Sequence, residues 1–462
     1  MPGAGEILSI LLLVSSLAVM MIGFGVAFSL AALGLLFAAL GGALGAFELR
    51  LLTALPGRLF SIMQNEVLVA VPLFIFMGTV LERSGIAEEL LETAGRLFGP
   101  LRGGVAISVV LVGAVFAAST GIVGAAVVTM GMISLPLMLR IGYDPRVATG
   151  TICASATLAQ IIPPSTVLIF VGDMLQAANS QAQLARGNMA PDPVSVGDLF
   201  FGALVPGLLL TAAYVVWIVA LGLLRRDAVP PMPASNAHVG ALIRSVLRAL
   251  LPALVLVLAV LGSILAGVAT PTESAAVGAV GAMALAAGRG TLSRDMLAGV
   301  AQTTAKLSSM AFMLLFGASV FILVFRGLGG DVFVEGMLRT LPGGLNAALA
   351  VVMVVVFVLG FFLDPFEILF IIVPIACPVL ITMGADPLWL GVLIALNLQT
   401  SFLTPPFGFS LFYLRSVAPP AVTTGHIYRG IVPFVVIQLL AIAAVWTMPT
   451  LATGLPRRFL GY

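Results

Sequence analysis

Two clusters of hydroxyl and amide side chains lie in the segments that precede consecutive prolines in an otherwise apolar chain. Consecutive prolines remove two backbone donors and break a helix, which frees carbonyl groups and exposes half-helix ends. Free carbonyls can bind Na⁺, and the amides at a helix N-terminus can bind a carboxylate. Paired breaks therefore predict a binding site, whereas a single break is commonly a packing kink. The residues are Thr151, Ser155 and Thr157 before Pro163-Pro164, and Asn397, Gln399, Thr400 and Ser401 before Pro405-Pro406.

The two proline pairs belong to an internal repeat. The tetrapeptide Gly-Tyr-Asp-Pro at 142–145 recurs as Gly-Ala-Asp-Pro at 384–387, and the offset of 242 residues also relates the two proline pairs. Each tetrapeptide follows an apolar pair of short segments and precedes an interrupted apolar helix. Two matches in one register indicate that the chain consists of two related halves.

The centres of the two apolar pairs offer oxygen ligands for a small cation. The first centre is Ser-Thr-Gly at 119–121, and the second runs from Gly360 to Asp364 and Pro365, with Glu367 following. Hydroxyl, carbonyl and carboxylate oxygens suit hard cations, so Na⁺ binding is one interpretation. The other is that Asp364 is the N-cap of a helix with Pro365 at its first position.

The composition is that of a membrane protein. Hydrophobic residues make up 61% of the 462 residues and charged residues 9%, and the mean hydropathy is +1.19. Soluble domains carry about 25% charged residues. The net charge of +2 gives no basis for nucleic-acid binding. Neither a Walker A sequence nor paired metal-ligand spacing is present, and Cys153 and Cys377 are expected to be buried thiols.

Apolar runs of about 20 residues predict an all-α polytopic fold. Fourteen candidate segments are evident, and several pairs are too close together to be separate crossings. We expect re-entrant hairpins at 101–138 and 345–383 and broken helices at 146–175 and 388–414. The other candidate spans are 7–22, 25–47, 67–83, 199–224, 246–268, 271–288, 305–325 and 429–449, and amphipathic arms are expected at 50–64, 86–98 and 331–341.

The predicted domain boundaries follow the repeat. Residues 1–66 form scaffold helices and an arm, 67–224 the first repeat, 225–247 a linker, 248–344 the second scaffold part, and 345–462 the second hairpin, broken helix and C-terminal helix. Arginines in the linker and at 457–458 predict that the linker and the C-terminus are both cytoplasmic, with a periplasmic N-terminus and an uncleaved first span. No function is evident for a polar insert at about 176–198.

At these motifs the chain resembles the large, DctM-like membrane subunit of the tripartite ATP-independent periplasmic (TRAP) transporters. The matching passages lie at 116–131, 142–169, 267–279 and 364–412. The resemblance implies an elevator-type fold of two inverted repeats in a bacterial inner membrane, with a scaffold and a moving domain. It also implies Na⁺-coupled uptake of carboxylates, with 2-oxo acids as one candidate class. The implied partners are a small DctQ-like membrane subunit and a DctP-like periplasmic substrate-binding protein.

The repeat and the resemblance together select the candidate site residues. For the substrate they are Ser119, Thr120, Ser155, Pro163, Asn397, Thr404 and Pro405, and for Na⁺ they are Ser119, Gly121, Ser319, Gly360, Asp364 and Pro365. Three features depart from the family pattern: the hairpin centre at 118–122 is altered, Gln160 precedes the proline pair where glycine is commoner, and Asp173 follows that broken helix. For Ser319, packing among small residues is the alternative.

Other polar residues have simpler interpretations. Thr270, Pro271 and Glu273 form the pattern of a capping box, and Lys306 is expected to reach the membrane interface. The alternative function is a stand-alone ion-coupled carrier of organic anions. A membrane enzyme and a channel are the remaining rivals, and no catalytic or cofactor-binding set supports the enzyme.

Overall fold

The computed structural model describes residues 3–120, 123–232 and 239–460, and within these ranges the chain forms helices and no β-strand. The first half contains α1 Ala4–Met21, α2 Val26–Ala43, α3 Leu55–Met63, α4 Glu66–Arg83, α5 Ile86–Phe98, α6 Gly104–Thr120, α7 Val123–Ile141, α8 Pro145–Thr157, α9 Thr166–Ala185 and α10 Val196–Leu224. The second half contains α11 Val239–Leu265, α12 Pro271–Gly288, α13 Arg294–Gly327, α14 Gly330–Arg339, α15 Gly344–Leu359, α16 Pro365–Thr382, α17 Pro387–Leu403, α18 Phe409–Val417, α19 Thr424–Thr447 and α20 Thr450–Leu460. Short 3₁₀ segments occupy Leu49–Ala54 and Leu158–Gln160.

The described helices confirm an all-α polytopic membrane fold. By length and composition, α1, α2, α7, α10, α13, α16 and α19 can each cross a bilayer, and α3 with α4 adds an eighth span if this pair, bent by 50°, counts as one. The fourteen apolar segments in the sequence exceed this number because several are half-length helices. These belong to hairpins and broken helices, such as Gly344–Leu359 and Pro387–Leu403.

One group of helices packs around α4 and α13. Helix α12 lies against α4, and α13 lies against both α2 and α4. Glycines allow the close approach: Gly317 leaves no room for a Cβ atom beside the backbone of Ala27, and Gly278 faces the Met77 side chain. In lipid the hydrophobic effect does not drive helix association. Small residues at such crossings let the backbones approach closely, and the resulting van der Waals contacts hold the helices together. We call this group, α1–α4 and α11–α13, the scaffold group.

A second group is built from the hairpins and broken helices. Helix α8 packs against α6, α7 and α19, α9 packs against α16, and α17 packs against α15 and α19. A Cβ atom on Gly150 would collide with the carbonyl of Gly430, and one on Gly430 would collide with the carbonyl of Arg146. Helices α8 and α19 are therefore in direct backbone contact. We call α6–α9 and α15–α19 the hairpin group.

The repeated tetrapeptides have the same structure in both halves. Gly142 and Gly384 have φ angles of 96° and 112°, a left-handed conformation that glycine adopts without steric cost. Asp144 and Asp386 then cap the N-termini of α8 and α17 with their side chains. In each half, a hairpin precedes the tetrapeptide and a break follows the capped helix.

The predicted amphipathic arms are confirmed as helices. Residues 86–98 form α5, 331–341 overlaps α14, and 50–64 contains a 3₁₀ segment followed by α3. The residues before α5 and α14, Gly85 and Gly329, have φ angles of 74° and 81°. Two arms of the same design thus lead into the two hairpins.

Helix α10 determines which segments share a face of the molecule. Near its start, Gly202 faces the backbone carbonyl of Ala452 in α20, and near its end Gly222 faces the backbone of Arg102, just before the first hairpin. The intervening stretch of helix rises about 30 Å, which is the thickness of the hydrocarbon core. The start of the first hairpin and α20 therefore lie at opposite faces.

The two hairpins consequently open to opposite faces, as inverted repeats require. Gly103, at the start of the first hairpin, donates its amide to the carbonyl of Val229 at 3.1 Å, so this hairpin opens beside the linker. Asp386, which follows the second hairpin, forms a 3.2 Å ion pair with Arg457 in α20. We call the side of residues 225–232 the linker face and the side of α20 the opposite face.

The prediction that the linker and the C-terminal segment share a face is wrong. Helix α19 begins beside α8, near the linker face, and ends beside Trp389, whose indole donates to the carbonyl of Val445 at 2.7 Å. It crosses the molecule and delivers α20 to the opposite face. The arginines at 457–458 do not mark the side on which the linker lies, because Arg457 pairs locally with Asp386.

Two polar segments are shorter than predicted. Helix α11 begins at Val239, so the linker predicted at 225–247 is helical over its last residues, and residues 233–238 lie outside the described ranges. The insert predicted at 176–198 begins inside α9, which continues to Ala185. Only the stretch from there to Ser195, the N-cap of α10, is loop.

Candidate functional site

The first proline pair lies in a buried break between α8 and α9. Residues 161–165 are non-helical and buried, and the Pro163-Pro164 peptide is cis. The Ser165 hydroxyl donates to the carbonyl of Gln160 at 3.0 Å. Ser165 therefore makes no side-chain cap for α9, and the first turn of this helix contains no acidic residue that would neutralise the positive end of its dipole.

The second proline pair lies in a more open break between α17 and α18. Its Pro405-Pro406 peptide is also cis, and residues 406–407 are exposed. The Ser410 hydroxyl donates to the carbonyl of Phe402 at 2.9 Å, as Ser165 does in the first break. A hydroxyl from the following helix thus satisfies a freed carbonyl in both halves.

The tip of the second hairpin is a capped helix start. The Asp364 side chain accepts the amide of Phe366 at 3.0 Å, and the Glu367 side chain accepts the amide of Asp364 at 2.9 Å. This capping box confirms the N-cap interpretation of Asp364, with Pro365 at the first helical position. The cap uses only one carboxylate oxygen of Asp364 in the described contacts.

Glycines allow both hairpins to pack closely against the broken helices. A Cβ atom on Gly360 would collide with the Ser401 side chain of α17, and one on Gly113 would lie 2.8 Å from the Cβ of Ser155 in α8. Asn397 donates its side-chain amide to the carbonyl of Met353, in α15, at 2.7 Å. The polar residues before the breaks thus lie where each hairpin meets its broken helix.

Several predicted substrate ligands already have partners in the helices. The Ser155 hydroxyl donates to the carbonyl of Thr151 at 2.6 Å, and the Thr404 hydroxyl donates to that of Thr400 at 2.7 Å. Together with the Asn397 bond, these contacts hold the backbone around the breaks. Their described role is structural, and a direct role toward substrate stays a prediction.

The tip of the first hairpin is only partly described. Helix α6 ends at Thr120, but the side chains of Ser119 and Thr120 and the whole of Gly121 lie outside the described part of the chain. The assignment of these three residues to substrate and Na⁺ stays a prediction.

A cavity of about 120 Å³ lies where both hairpin tips, both breaks and the scaffold group meet. Met310 and Ile75, which line it, stand near the middles of the 34-residue α13 and the 18-residue α4. The cavity therefore lies near the midplane of the membrane. We call it the central cavity, and its lining comprises Val71, Ile75, Val123, Gly124, Gln160, Thr166, Val167, Phe170, Leu307, Met310, Ala311, Asp364, Pro365, Phe366, Phe402 and Tyr413.

Three polar side chains give the central cavity much of its chemistry. Asp364 was predicted as a site residue, whereas Gln160 and Tyr413 were not assigned a ligand role. The Oε1 atom of Gln160 is buried and has no hydrogen-bond partner among the described residues. A buried amide of this kind usually has a partner, so Gln160 is a candidate ligand. A long amide side chain three residues before a proline pair was the signal in the sequence.

Ser319 does not belong to this cavity. It lines a separate cavity of about 340 Å³ together with Arg58 and Arg326. Two guanidinium groups disfavour a cation there, and the structure does not bring Ser319 together with Gly360 or Asp364. Ser319 thus lines a different cavity from Asp364, and its assignment to Na⁺ stays a prediction.

Hydrogen bonds connect the scaffold and hairpin groups at both ends of the central cavity. Toward the opposite face, Asn65 donates to the Asp173 carboxylate at 2.7 Å. Toward the linker face, the Thr129 hydroxyl donates to the Glu82 carboxylate at 3.0 Å. Arg326 of α13 adds bonds to Gln181 and to the carbonyl of Pro374 across the same seam. The rest of the described lining is largely apolar, which suits two bodies that can slide.

Comparison with known proteins places the chain among membrane transporters. Residues 13–451 match the family model "Tripartite ATP-independent periplasmic transporter, DctM component". The chain is 30% identical to the C4-dicarboxylate TRAP transporter large permease protein DctM of Pseudomonas aeruginosa, over 86% of this chain and 88% of that protein. It is 28% identical to the ectoine/5-hydroxyectoine TRAP transporter large permease protein UehC of Ruegeria pomeroyi, over 83% of this chain and 85% of that protein.

A solved structure shares the fold. The crystal structure of the Alcanivorax borkumensis YdaH transporter, described as having an unusual topology, superposes with a TM-score of 0.60. The match covers 86% of this chain and 87% of that one at 16% identity. At this identity the likeness concerns architecture alone.

Proposed function

The chain belongs to the family of DctM components of tripartite ATP-independent periplasmic transporters, and from that premise we propose that it imports a small carboxylate with Na⁺ as the coupling ion. As a large permease subunit of such a transporter, it is a multi-pass membrane protein. The substrate class, the coupling ion and the movement that carries them are the proposed parts.

The observation that carries the proposal is the construction of the central cavity. The hairpin and the break from each half converge at mid-membrane against α4 and α13. Non-helical backbone at this depth is tolerated where protein buries it or where it lines a cavity. Discontinuous helices from two inverted repeats are the arrangement that secondary transporters use to hold solute and ion.

A carboxylate fits the side of the cavity formed by the first break. The uncapped N-terminus of α9 presents the positive end of a helix dipole, which favours an anion. Gln160, which precedes the same break, lines the cavity with Thr166 at the start of α9, and its side-chain nitrogen can donate to a carboxylate. The apolar lining from Phe170, Phe366 and Met310 suits a short carbon skeleton.

Na⁺ fits the side formed by the second hairpin. The Asp364 carboxylate lines the cavity in mostly apolar surroundings, where it would repel an anionic substrate. A cation between them removes that repulsion, so ion and substrate stabilise one another's binding. The donors present are hard oxygens: the second Asp364 oxygen and backbone carbonyls around Gly360. Na⁺ is a co-substrate in this scheme.

Movement of the hairpin group against the scaffold group supplies alternating access. The seam between them is apolar and is crossed by polar bonds such as Asn65 to Asp173. Elevator-type motion would carry the central cavity along α4 and α13 while both hairpins stay attached to it. A periplasmic substrate-binding protein and a small membrane subunit are the partners proposed for delivery and support.

Charge distribution supports a cytoplasmic linker face in the bacterial inner membrane. The larger share of arginines lies in the half nearer the linker face, as the positive-inside rule requires of the cytoplasmic side. This orientation makes the start of α1 and helix α20 periplasmic. The arginines nearer the linker face are Arg83, Arg96, Arg102, Arg140, Arg146, Arg225, Arg226, Arg244, Arg248, Arg289, Arg294, Arg415 and Arg429, against Arg50, Arg58, Arg186, Arg326, Arg339, Arg457 and Arg458 nearer the opposite face.

Uptake by proteoliposomes tests the proposal. The chain is reconstituted with the small subunit and the binding protein from its own operon, and radiolabelled succinate, pyruvate and ectoine are offered under an inward Na⁺ gradient. Saturable uptake of a carboxylate that requires both Na⁺ and the binding protein is expected. Uptake driven by a proton gradient without Na⁺ contradicts the coupling, and uptake of ectoine alone contradicts the carboxylate class.

A further inference from the structure

The cavity that contains Ser319 has a composition unlike the rest of the seam. It lies between α3 and α13 of the scaffold group and α9 and α16 of the hairpin group, toward the opposite face. Its walls are mostly apolar, with Met174, Leu315 and Phe370 among them. Two guanidinium groups, from Arg58 and Arg326, are the charged side chains of its lining. We call it the arginine cavity.

Neither arginine of this cavity is paired with an acid at salt-bridge distance in the described part of the chain. Among the residues that the structure describes, no salt bridge involves Arg58 or Arg326. Arg326 donates one terminal nitrogen to Gln181 Oε1 at 2.9 Å and to the carbonyl of Pro374 at 2.8 Å, but its Nε is buried without a partner. Asp331 and Glu335 share an adjoining cavity with Arg326, and Asp331 attracts its charge, but in the described part neither acid forms a salt bridge with it.

Partly buried cations without an anion are costly, because desolvation is not offset by attraction. We propose that the arginine cavity is a binding site for an oxyanion, either a solute carboxylate or the phosphate of a lipid headgroup. Guanidinium groups bind both through paired N–H donors. The apolar walls then accommodate the carbon chain attached to the anionic group.

The arginine cavity adjoins the central cavity along α13. Leu315 marks its inner end, and Ala311, one helical turn away, lines the central cavity. Phe370 on the arginine side packs edge-on against Phe170 on the central side, with ring centroids 5.1 Å apart. A solute anion bound in the arginine cavity thus lies next to the central cavity and is separated from it by the Phe170–Phe370 pair. In this form the inference rests on the proposed function, whereas the oxyanion site itself does not.

Thiol labelling tests the site without relying on transport. Ser319→Cys places a thiol in the cavity, and the native Cys153 and Cys377 are buried. The purified chain in phosphatidylcholine nanodiscs is labelled with the anionic reagent sulfonatoethyl methanethiosulfonate and with its cationic trimethylammonium-ethyl counterpart. The measured quantity is the ratio of anionic to cationic labelling rates, normalised to the same ratio for free mercaptoethanol.

The normalised ratio is expected to lie above one and to fall about threefold to tenfold when Arg58→Gln is added, because one nearby positive charge is lost. Arg326→Gln should give a similar fall. Arg50→Gln, which removes an exposed arginine from the same face, should leave the ratio unchanged. Since Arg58 has no hydrogen bond in the described contacts, its variant gives a reading even if Arg326→Gln fails to fold.

Protection separates the two sources of the oxyanion. Slower labelling in the presence of millimolar succinate supports a solute site, and slower labelling after phosphatidylglycerol replaces phosphatidylcholine supports a lipid site. The proposal is overturned if the labelling ratio stays the same when either arginine is replaced. It is also overturned if neither reagent labels the thiol at position 319 or the thiol of an Ile322→Cys variant. If the reconstituted chain shows no carboxylate uptake while the labelling ratio behaves as expected, the proposed transport function is contradicted and the oxyanion site is not.

Discussion

Gly360 at the second hairpin lies so close to Ser401 of α17 that no side chain fits between them. The hairpin and the broken helix are therefore in contact at the level of the backbone. This contact positions the start of α16, and with it Asp364, at the edge of the central cavity.

Gly360→Ala is expected to reduce uptake at least about tenfold, because overpacking shifts the hairpin tip or costs about 1–3 kcal/mol of stability. Uptake and thermal melting of the purified variant are measured together. Adding Ser401→Gly removes the colliding side chain and should restore most of the uptake. If the double variant is as inactive as the single one, the close packing is not the reason that glycine is required.

Asp364→Asn is expected to raise the Na⁺ concentration for half-maximal uptake at least about tenfold, because the charged ligand is lost while asparagine still caps α16. The measurement is uptake against Na⁺ concentration. Asp144→Asn is the matched control: it alters a cap of the same kind, which accepts the Arg146 amide at 2.8 Å, away from the central cavity. An unchanged Na⁺ dependence in Asp364→Asn would reduce Asp364 to a helix cap.

Gln160→Ala is expected to raise the KM for substrate about tenfold with a smaller effect on kcat, because a hydrogen bond to a charged group contributes about 1.5–3 kcal/mol. Gln160→Glu should be worse, since it places a negative charge beside the carboxylate. Initial uptake rates over a substrate series provide both constants. Gln183→Ala, at the far end of α9, is the control, and equal effects at the two positions would speak against a ligand role for Gln160.

Asn65→Ala should shift the balance between transport conformations, because it removes a charge-assisted bond between the two helix groups. A loss of about 1–2 kcal/mol changes the ratio of states about fivefold to thirtyfold. Single-molecule fluorescence transfer between dyes on α2 and α17 measures the populations. Thr303→Ala, which removes a bond to Arg83 inside the scaffold group, is the control and should leave the populations unchanged. If the unmodified chain, Asn65→Ala and Thr303→Ala have identical populations, the Asn65 bond does not distinguish the states.

Much of the architecture could be predicted because it depends on local sequence rules. Proline pairs, tetrapeptides with glycine in a left-handed turn, and Asp caps act within a few residues, so hairpins and broken helices were visible as patterns. The arms α5 and α14 were equally evident, since Glu and Arg alternate with leucine in the first. The capping boxes at Asp364 and at Thr270 with Glu273 were anticipated and are present.

Features that depend on distant contacts could not be predicted. Whether Ser319 faces the central cavity depends on how α13 rotates against α9 and α16, and the helix instead turns it toward Arg58 and Arg326. The side of the membrane on which α20 lies depends on the number of membrane crossings before it. The helices of a re-entrant hairpin have the same apolar composition as full crossings, so this number could not be read from the sequence. Gln160 departs from the family pattern, but the buried side-chain oxygen without a partner among the described residues is evident only in the packed structure.

The backbone contact between Gly150 and Gly430 makes α19 a rigid extension of the first broken helix. Helix α20 follows α19 after only Met448 and Pro449, so its tail is mechanically coupled to a site buried at mid-membrane. If the hairpin group moves, α19 transmits that movement to α20, whose residues Arg457 and Arg458 are exposed at the opposite face. A fluorophore attached there would serve as a readout of the transport cycle without any label near the cargo.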